Sequence, residues 1–357
     1  SDRSALKTLP RTLDKTRLAC DNLHGCACTS VQISFPSFLW FALRAAVSMY
    51  DEQTALLSLA SKLYYLDGLG QTEIADMIGV SRSKVSRLLA RARDAGIVKI
   101  TVQDYCPRNQ EMEEQLIKRF EMNHAIVVRT FAEQTVTSAR QTIGYIAAPV
   151  ISAAIRPNYV LGMAGGRTLY ELVRFMQPPG LIKGIEVAQL MSNIGSLVGE
   201  IDAIELGRVM AHKFNANFYS VSAPVYAPDA ATRDAFLSHE QVHMVWQLFD
   251  AMDMAFVGIG TLENSAFIER QVLSAGDQRD LRRRGVVGEI CGRFFDADGC
   301  ECDTEHRQRV ISIELDKLRR IPEVIGITNG ADRARAVCAA LRGKLLKSLV
   351  IDEAGAA

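Results

Sequence analysis

Two sets of residues in this chain have the types and spacing to do chemistry. The first is SRSKVSRLLARAR, residues 81–93, where short hydroxyls alternate with long cations. Val85, Leu88 and Leu89 recur there at helical spacing, leaving Arg82, Ser83, Ser86 and Arg87 on the opposite face. Short donors beside arginine suit base edges in a major groove, and the flanking Lys84 and Arg91 suit phosphates. The second set is glycine-rich. GMAGGRT (162–168) runs from an apolar stretch into Gly165-Gly166, followed by Arg167 and Thr168 at the start of a helical pattern. Such a turn brings backbone N–H groups and a helix N-terminus to an anion, with two side-chain donors added. DMAFVGIGTLENSAF (253–267) repeats the strand-then-glycine pattern at Gly258 and Gly260, and GVVGEICGRFFDADG (285–299) offers Glu289 and Arg293 in a glycine-spaced loop. A carboxylate at 289 would accept sugar hydroxyls.

Other groupings point less far. HEQVH (239–243) spells the two-histidine zinc-peptidase pattern, with Glu263 twenty residues beyond His243. Its bland counterpart is a helix with two surface histidines, the better reading of a short motif. Cys300, Cys302 and His306, like His24, Cys26 and Cys28, lack the repeated two-residue gap of a zinc ribbon and read as free thiols in solvated loops. We expect no metal and no cofactor.

The elements needed to position these groups follow from periodicity. In TALLSLASKLYYL (54–66), Leu56, Leu59, Leu63 and Leu66 make one apolar helical face, which Asp67-Gly68-Leu69-Gly70 ends. Gln71–Ile78 forms a second helix with Ile74, Ala75 and Ile78 inward, Gly79 turns the chain, Val80 plugs the turn, and Ser81 caps a third helix reaching about Asp94. Small residue, turn glycine and aliphatic spacing together spell a helix-turn-helix. Between 71 and 100 six basic residues face three acidic ones, a local charge of +3 in a chain whose 41 basic and 41 acidic residues cancel. IVKITVQ (97–103) alternates like a strand and would close the unit as a wing. Beyond Pro107, Met112, Leu116 and Phe120 space an amphipathic helix, either a core helix or one that pairs with a second copy. From Ala125 onward, AIVVRT, YVLGMA, IEVAQLM, NFYSVSA, MAFVGIG, RVISIEL, VIGITNG and SLVID alternate with helical patterns, which predicts a Rossmann-like, mostly parallel α/β sheet.

The expected organisation is therefore an N-terminal extension (1–50), a small all-α helix-turn-helix domain (51–104), a linker helix (105–123) and an α/β domain (124–357). Residues 1–48 differ from the rest in periodicity and carry three of the eight cysteines, and the regular pattern starts near Met49. With 357 residues, 48% of them hydrophobic, the chain can bury a sizeable core; its cysteine usage and interrupted apolar runs argue for a cytoplasmic protein without a membrane span.

Over roughly residues 54–354 the chain resembles the SorC/DeoR-type sugar-sensing transcriptional regulators. QTEIADMIGVSRSKVSRLLARARDAGIVKITV looks like their DNA-binding segment and GMAGGRTLYELV like their first effector loop. AQLMSNIG sits where the family has Gln-Leu-Asn-Gly-Gly, and FVGIGTLENSAF, GVVGEICGRFFDADG and VIGITNGADRARAVCAALRGKLLKSLVIDE follow in order. The resemblance implies an effector domain similar to sugar-phosphate isomerases that has lost catalysis and binds a sugar or polyol phosphate. It implies that Gly165, Gly166, Arg167 and Thr168 hold the phosphate, with Gln189, Gly258, Gly260 and Glu289 around the sugar. Arg333 stands where the family often has Lys, and Ser192-Asn193 replaces the usual Asn-Gly. The expected partners are a double-stranded DNA operator and further copies of the chain, as a homodimer or homotetramer, with Ser81, Arg82, Ser83, Lys84, Ser86, Arg87 and Arg91 on the DNA. The alternative is an active isomerase or deaminase, which would need the acid/base pair that Leu262-Glu263-Asn264 does not supply.

Overall fold

The computed structural model describes residues 52–100, 106–131 and 133–357, so the expectations about residues 1–50 lie outside it. The chain divides into two compact units at 103/104. In the smaller, α1 (52–65), α2 (Gln71–Ile78) and α3 (Arg82–Asp94) enclose a small core of Leu57, Ala60, Leu63, Ile74, Ala75, Val85, Leu88, Leu89 and Ala92. Here α1 departs from expectation. Leu57 and Ala60 are buried while Leu59 and Leu66 are 46% and 78% exposed, because α1 has more apolar positions than one face holds. The expected strand over 97–103 also differs. Residues 97–100 form no strand, and Val98 N donates back to Ala92 O at the end of α3 (3.1 Å); 101–103 lie outside the described residues.

The larger unit begins with α4 (Gln110–Phe120), then β1 (His124–Val128), α5 (Val136–Ala154), β2 (Val160–Met163), α6 (Arg167–Phe175), β3 (Glu186–Gln189), α7 (Ala203–Phe214) and β4 (Asn217–Tyr219). It continues with α8 (Ala230–Ser238), α9 (Glu240–Asp250), β5 (Met254–Gly258), α10 (Ala266–Glu269), α11 (Ala275–Arg283) and the hairpin β6 (Gly288–Ile290)–β7 (Arg293–Phe295). Last come α12 (Leu315–Arg320), β8 (Glu323–Ile327), α13 (Ala334–Arg342), β9 (Ser348–Asp352) and α14 (Glu353–Ala356). Seven strands pair in parallel in the order β1-β9-β8-β5-β2-β3-β4. Buried on both faces, they read as continuous apolar runs, with Leu161, Met163, Val187, Phe256, Val257 and Val324 fully enclosed.

Chain order reverses between β2 and β5, and at such a switch point the loops after adjacent strands diverge and leave a crevice. RVISIEL joins neither sheet. It crosses the carboxyl ends of the strands, Ile311 N donating to Val225 O (2.8 Å) and Ile313 N to Leu190 O (2.8 Å). The edge strand β1 is covered by the segment before α4. Asn109 N donates to Val127 O (2.8 Å), and the Glu113 carboxylate accepts from Val127 N (2.9 Å) while paired to Arg108. Met112, Leu116, Ile117 and Phe120 of α4 pack on the core of the larger unit. Among the described residues no helix is long and apolar enough to cross a membrane.

Candidate functional site

In the smaller unit Gly79 ends α2 in the left-handed conformation (φ 68°), which a β-carbon would strain, and Val80 N then donates to Ala75 O (3.0 Å). Ser81 follows in extended conformation, and its hydroxyl accepts from Lys84 N (3.3 Å), capping α3. With Val85, Leu88 and Leu89 held in the core, Ser81, Arg82, Ser83, Lys84, Ser86, Arg87 and Arg91 are all exposed on one side of α3. Among the described residues Arg82, Lys84, Arg87 and Arg91 form no ion pair, so their charges face outward uncompensated. The Arg87 side chain bends back to Ser83 O (Nε, 3.3 Å). A cationic, hydroxyl-bearing helix on a compact base has the shape of a major-groove reader.

In the larger unit the crevice at the switch point is a cavity of about 160 Å³. It is lined by Gly165, Gly166, Arg167 and Thr168 from the turn after β2, by Gly258 and Gly260 after β5, and by Glu289 and Arg333. Those eight residues are the effector set expected from sequence, less one. Gln189 does not line the cavity: it is fully buried, its amide oxygen accepting from Val221 N (2.9 Å) and its NH2 donating to Asn193 (3.0 Å). It orders the 189–193 stretch from behind, and Asn193 reaches the cavity in its place.

Gly165 is required by the approach of α7, since a β-carbon there would lie 2.9 Å from Ile201 O and 3.0 Å from Ala203 N. Gly166 donates to Ile201 O (2.8 Å) and starts α6 with no side-chain cap, so the first N–H groups of α6 stay available at the cavity. Helix α5 passes so close to α6 that a β-carbon on Gly144 would meet the Glu171 backbone at 2.5 Å. One turn back on each helix, Arg140 and Thr168 share a partner: Asn329 Oδ1 accepts from Arg140 Nε (3.1 Å) and Thr168 Oγ1 (3.3 Å). Arg333 donates to Asn329 O (2.9 Å), and Arg167 pairs with Glu269 (2.7 Å). Burial, with repulsion from Arg333 and Arg167, lowers the pKa of Arg140, which remains a cation. Among the described residues Arg140 forms no ion pair. Cations that repel one another beside an uncapped helix make a seat for an anion.

The opposite side of the cavity carries two carboxylates, one of them in an ion pair with Arg270. Asp202 is held by Arg270 (2.7 and 3.2 Å) and accepts from Gly199 N (2.7 Å). Glu289 extends from β6, whose backbone bonds reciprocally to Gly260 (3.0 and 2.9 Å). Burial pushes its carboxyl up to about 7, against the opposing pull of hydrogen bonds from Ser265 and Gly292. The loop expected over 285–299 is thus the β6–β7 hairpin, turning on Cys291-Gly292 with positive φ at both (52° and 74°). Arg293 points away from the cavity. It is buried, bonded to Ile313 O (2.7 Å), Ser312 O (3.0 Å) and Glu301 (2.8 Å), and ties the hairpin to the RVISIEL segment.

Arg140, Asp202, Arg270 and Asn329 were not singled out from sequence, and Asn193 was noted only as a departure from the family's Asn-Gly. Only the helical phase of Arg140 against Gly144, four residues later, carried any signal for them. Of the zinc-like motifs, His239 caps α9 while His243 lies within it, both exposed. Cys302 and His306 are buried rather than in a solvated loop, and His306 is bonded to Gly292 O (2.7 Å). No group of three or more metal-ligating side chains occurs among the described residues, and His24, Cys26 and Cys28 lie outside them.

A family model described as "Putative sugar-binding domain" matches residues 106–357, and a Crp-like helix-turn-helix domain matches 54–106. The deoxyribonucleoside regulator of Bacillus subtilis (strain 168) is 27% identical over 304 residues, 85% of this chain and 96% of that protein. The transcriptional regulator LsrR of Escherichia coli (strain SMS-3-5 / SECEC) is 30% identical over 315 residues, 86% and 94% of the two chains. Among solved structures, the full-length sorbitol operon regulator SorC from Klebsiella pneumoniae superposes with a TM-score of 0.65 at 26% identity, covering 85% of this chain and 98% of that one.

Proposed function

Because the chain belongs to the SorC-type family of sugar-binding, helix-turn-helix transcriptional regulators, we propose that a phosphorylated sugar or polyol controls its hold on a DNA operator. The observation that carries this reading is the convergence of Arg140, Arg167 and Arg333 on the uncapped N-terminus of α6, across the cavity from Glu289 and Asp202. A phosphate ester fits that polarity. Its dianion takes the arginine side, and its hydroxyls donate to the carboxylates. A second phosphate would meet Glu289 and the Asp202–Arg270 ion pair, whose guanidinium is already committed to Asp202 and Ile194 O, so monophosphates suit the site better than bisphosphates. Glu263, the carboxylate in the turn after β5, is exposed and bonds to no histidine among the described residues, and the neighbouring Asn264 is bonded to Asp332 (3.0 Å). The site binds; it is not built for isomerase acid/base work.

On the DNA, Arg82, Ser83, Ser86 and Arg87 read bases, and Ser81, Lys84 and Arg91 contact the backbone. One such helix covers few base pairs, so operator selection calls for two or four copies on a repeated site. The protein acts in the cytoplasm, where its operator is. Fluorescence anisotropy of DNA from upstream of its own gene, at two salt concentrations and with a sugar-phosphate panel, tests the reading. Specific binding that weakens with salt and shifts with one monophosphate is the expected result. Specific DNA binding indifferent to every phosphate ester would refute the effector assignment.

A further inference from the structure

Where the strands of the sheet begin, at the opposite end from the cavity just described, a second cavity of about 780 Å³ opens between α4, α5 and the sheet. Strand register sets its floor. His124 pairs with Ser348, Ser348 with Ile325, and Met254 with Glu323, two residues before Ile325, so all five side chains lie on one face. Ile117 of α4 and Val150 and Ile151 of α5 supply apolar walls. Two polar atoms in the floor are buried and have no partner: Ser348 Oγ, on a residue 4% exposed, and Glu323 Oε1. The other Glu323 oxygen accepts from Asn123 Nδ2 (2.9 Å). Beside it Asp253 accepts from Val160 N (2.8 Å).

Among the described residues neither Glu323 nor Asp253 forms an ion pair. The cations nearby do not neutralise them. Arg108 is committed to Glu113 (2.8 Å), Arg156 and His124 also line the cavity but are exposed and form no ion pair among the described residues, and Lys347 senses Glu323 without pairing to it. A buried acceptor without a donor is destabilising, so an unpaired carboxylate and hydroxyl at the base of an apolar cleft mark a place for a donor.

We propose that this cavity binds a small protonated amine with a short apolar chain, its ammonium on Glu323 and Ser348 and its chain against Ile117, Val150 and Ile151. Water alone would satisfy the two oxygens but leave the apolar walls wet. An anion would meet two unneutralised carboxylates. The assignment does not rest on the sugar-phosphate reading, because it uses none of the same residues.

The test uses the full chain and n-butylammonium chloride, with sodium chloride at equal ionic strength and n-butanol as controls. The expected result is a saturable rise in melting temperature of roughly 2–4 °C with butylammonium, a smaller effect of butanol and none of sodium chloride. Glu323→Gln should abolish the rise, and Ser348→Ala should weaken the amine several-fold by calorimetric titration. Sugar-phosphate and DNA binding should be unchanged in both, which separates this site from the effector site. If Glu323→Gln does not fold, Ser348→Val, which fills the floor, serves as the second variant. Butylammonium acting no better than sodium chloride, a full response in Glu323→Gln, or a crystal soaked with butylammonium showing only water on Glu323 and Ser348 would overturn the proposal.

Discussion

Replacing Arg87 by Ala removes an exposed, unpaired cation from the reading face of α3 without touching its core side, where Val85, Leu88 and Leu89 are buried. Operator affinity should fall by about 1–3 kcal/mol, with sugar-phosphate affinity and melting temperature unchanged; titration of DNA and ligand on one preparation checks all three. Glu289 gives a second test, through pH. Its folded carboxyl titrates near 7, above its ordinary 4.5, so between those values the folded chain holds a proton that the unfolded chain releases. Stability should therefore fall as pH rises from about 4.5 to about 7 and level off above. Melting curves of the wild type and Glu289→Gln should diverge across that window, the variant lacking this part of the slope. Residue types and glycine spacing pointed to seven of the cavity's lining residues, and the family resemblance added Arg333. Arg140 escaped because its partner Asn329 lies 189 positions away, and its helical phase against Gly144 was the one local cue. Gln189 stood in the right stretch but on the wrong side of it, since strand alternation puts it behind the loop that Asn193 fronts.

At the scale of elements, the turn after β2 is where backbone, helix and cavity meet. Gly165→Val would drive side-chain atoms into Ile201 O and the α7 N-terminus, which are backbone and cannot swing aside. The expected outcome is a loss of about 1–3 kcal/mol in chemical denaturation together with loss of effector binding, because α7 carries Asp202 at its cap. DNA binding by the smaller unit should persist. The helix-turn-helix was legible because turn, cap and core each leave a local signature in Gly79, Ser81 and the aliphatic spacing. The face of α1 was not. Its surplus of leucines permits two faces, and packing against α2 and α3 selects the one through Leu57 and Ala60. RVISIEL alternates like a strand yet runs outside the sheet, a distinction made by partners distant in sequence and invisible in the segment itself.

For the whole molecule, the two units differ sharply in how much they bury. Among the described residues the smaller encloses nine core side chains, while the larger has a continuous core on both faces of seven strands. Small units are marginally stable, so calorimetry should resolve two transitions, the cooler belonging to the helix-turn-helix. A bound sugar monophosphate should raise only the hotter one. The division itself was readable from the switch from helical to strand periodicity, but the order of the seven strands was not, since order depends on crossovers rather than on composition. The ends of that order bear on how the protein behaves in concentrated solution. A parallel sheet exposes a row of unsatisfied peptide groups at each border, a template onto which foreign chains add. One border, β4, is three residues long, and the other is sealed by Asn109 and Glu113 lying along β1. Glu113 is thus expected to guard against fibre growth as well as to make a structural contact. Glu113→Ala should bind sugar phosphate normally yet turn turbid and gain thioflavin fluorescence on mild warming, well before its core melts.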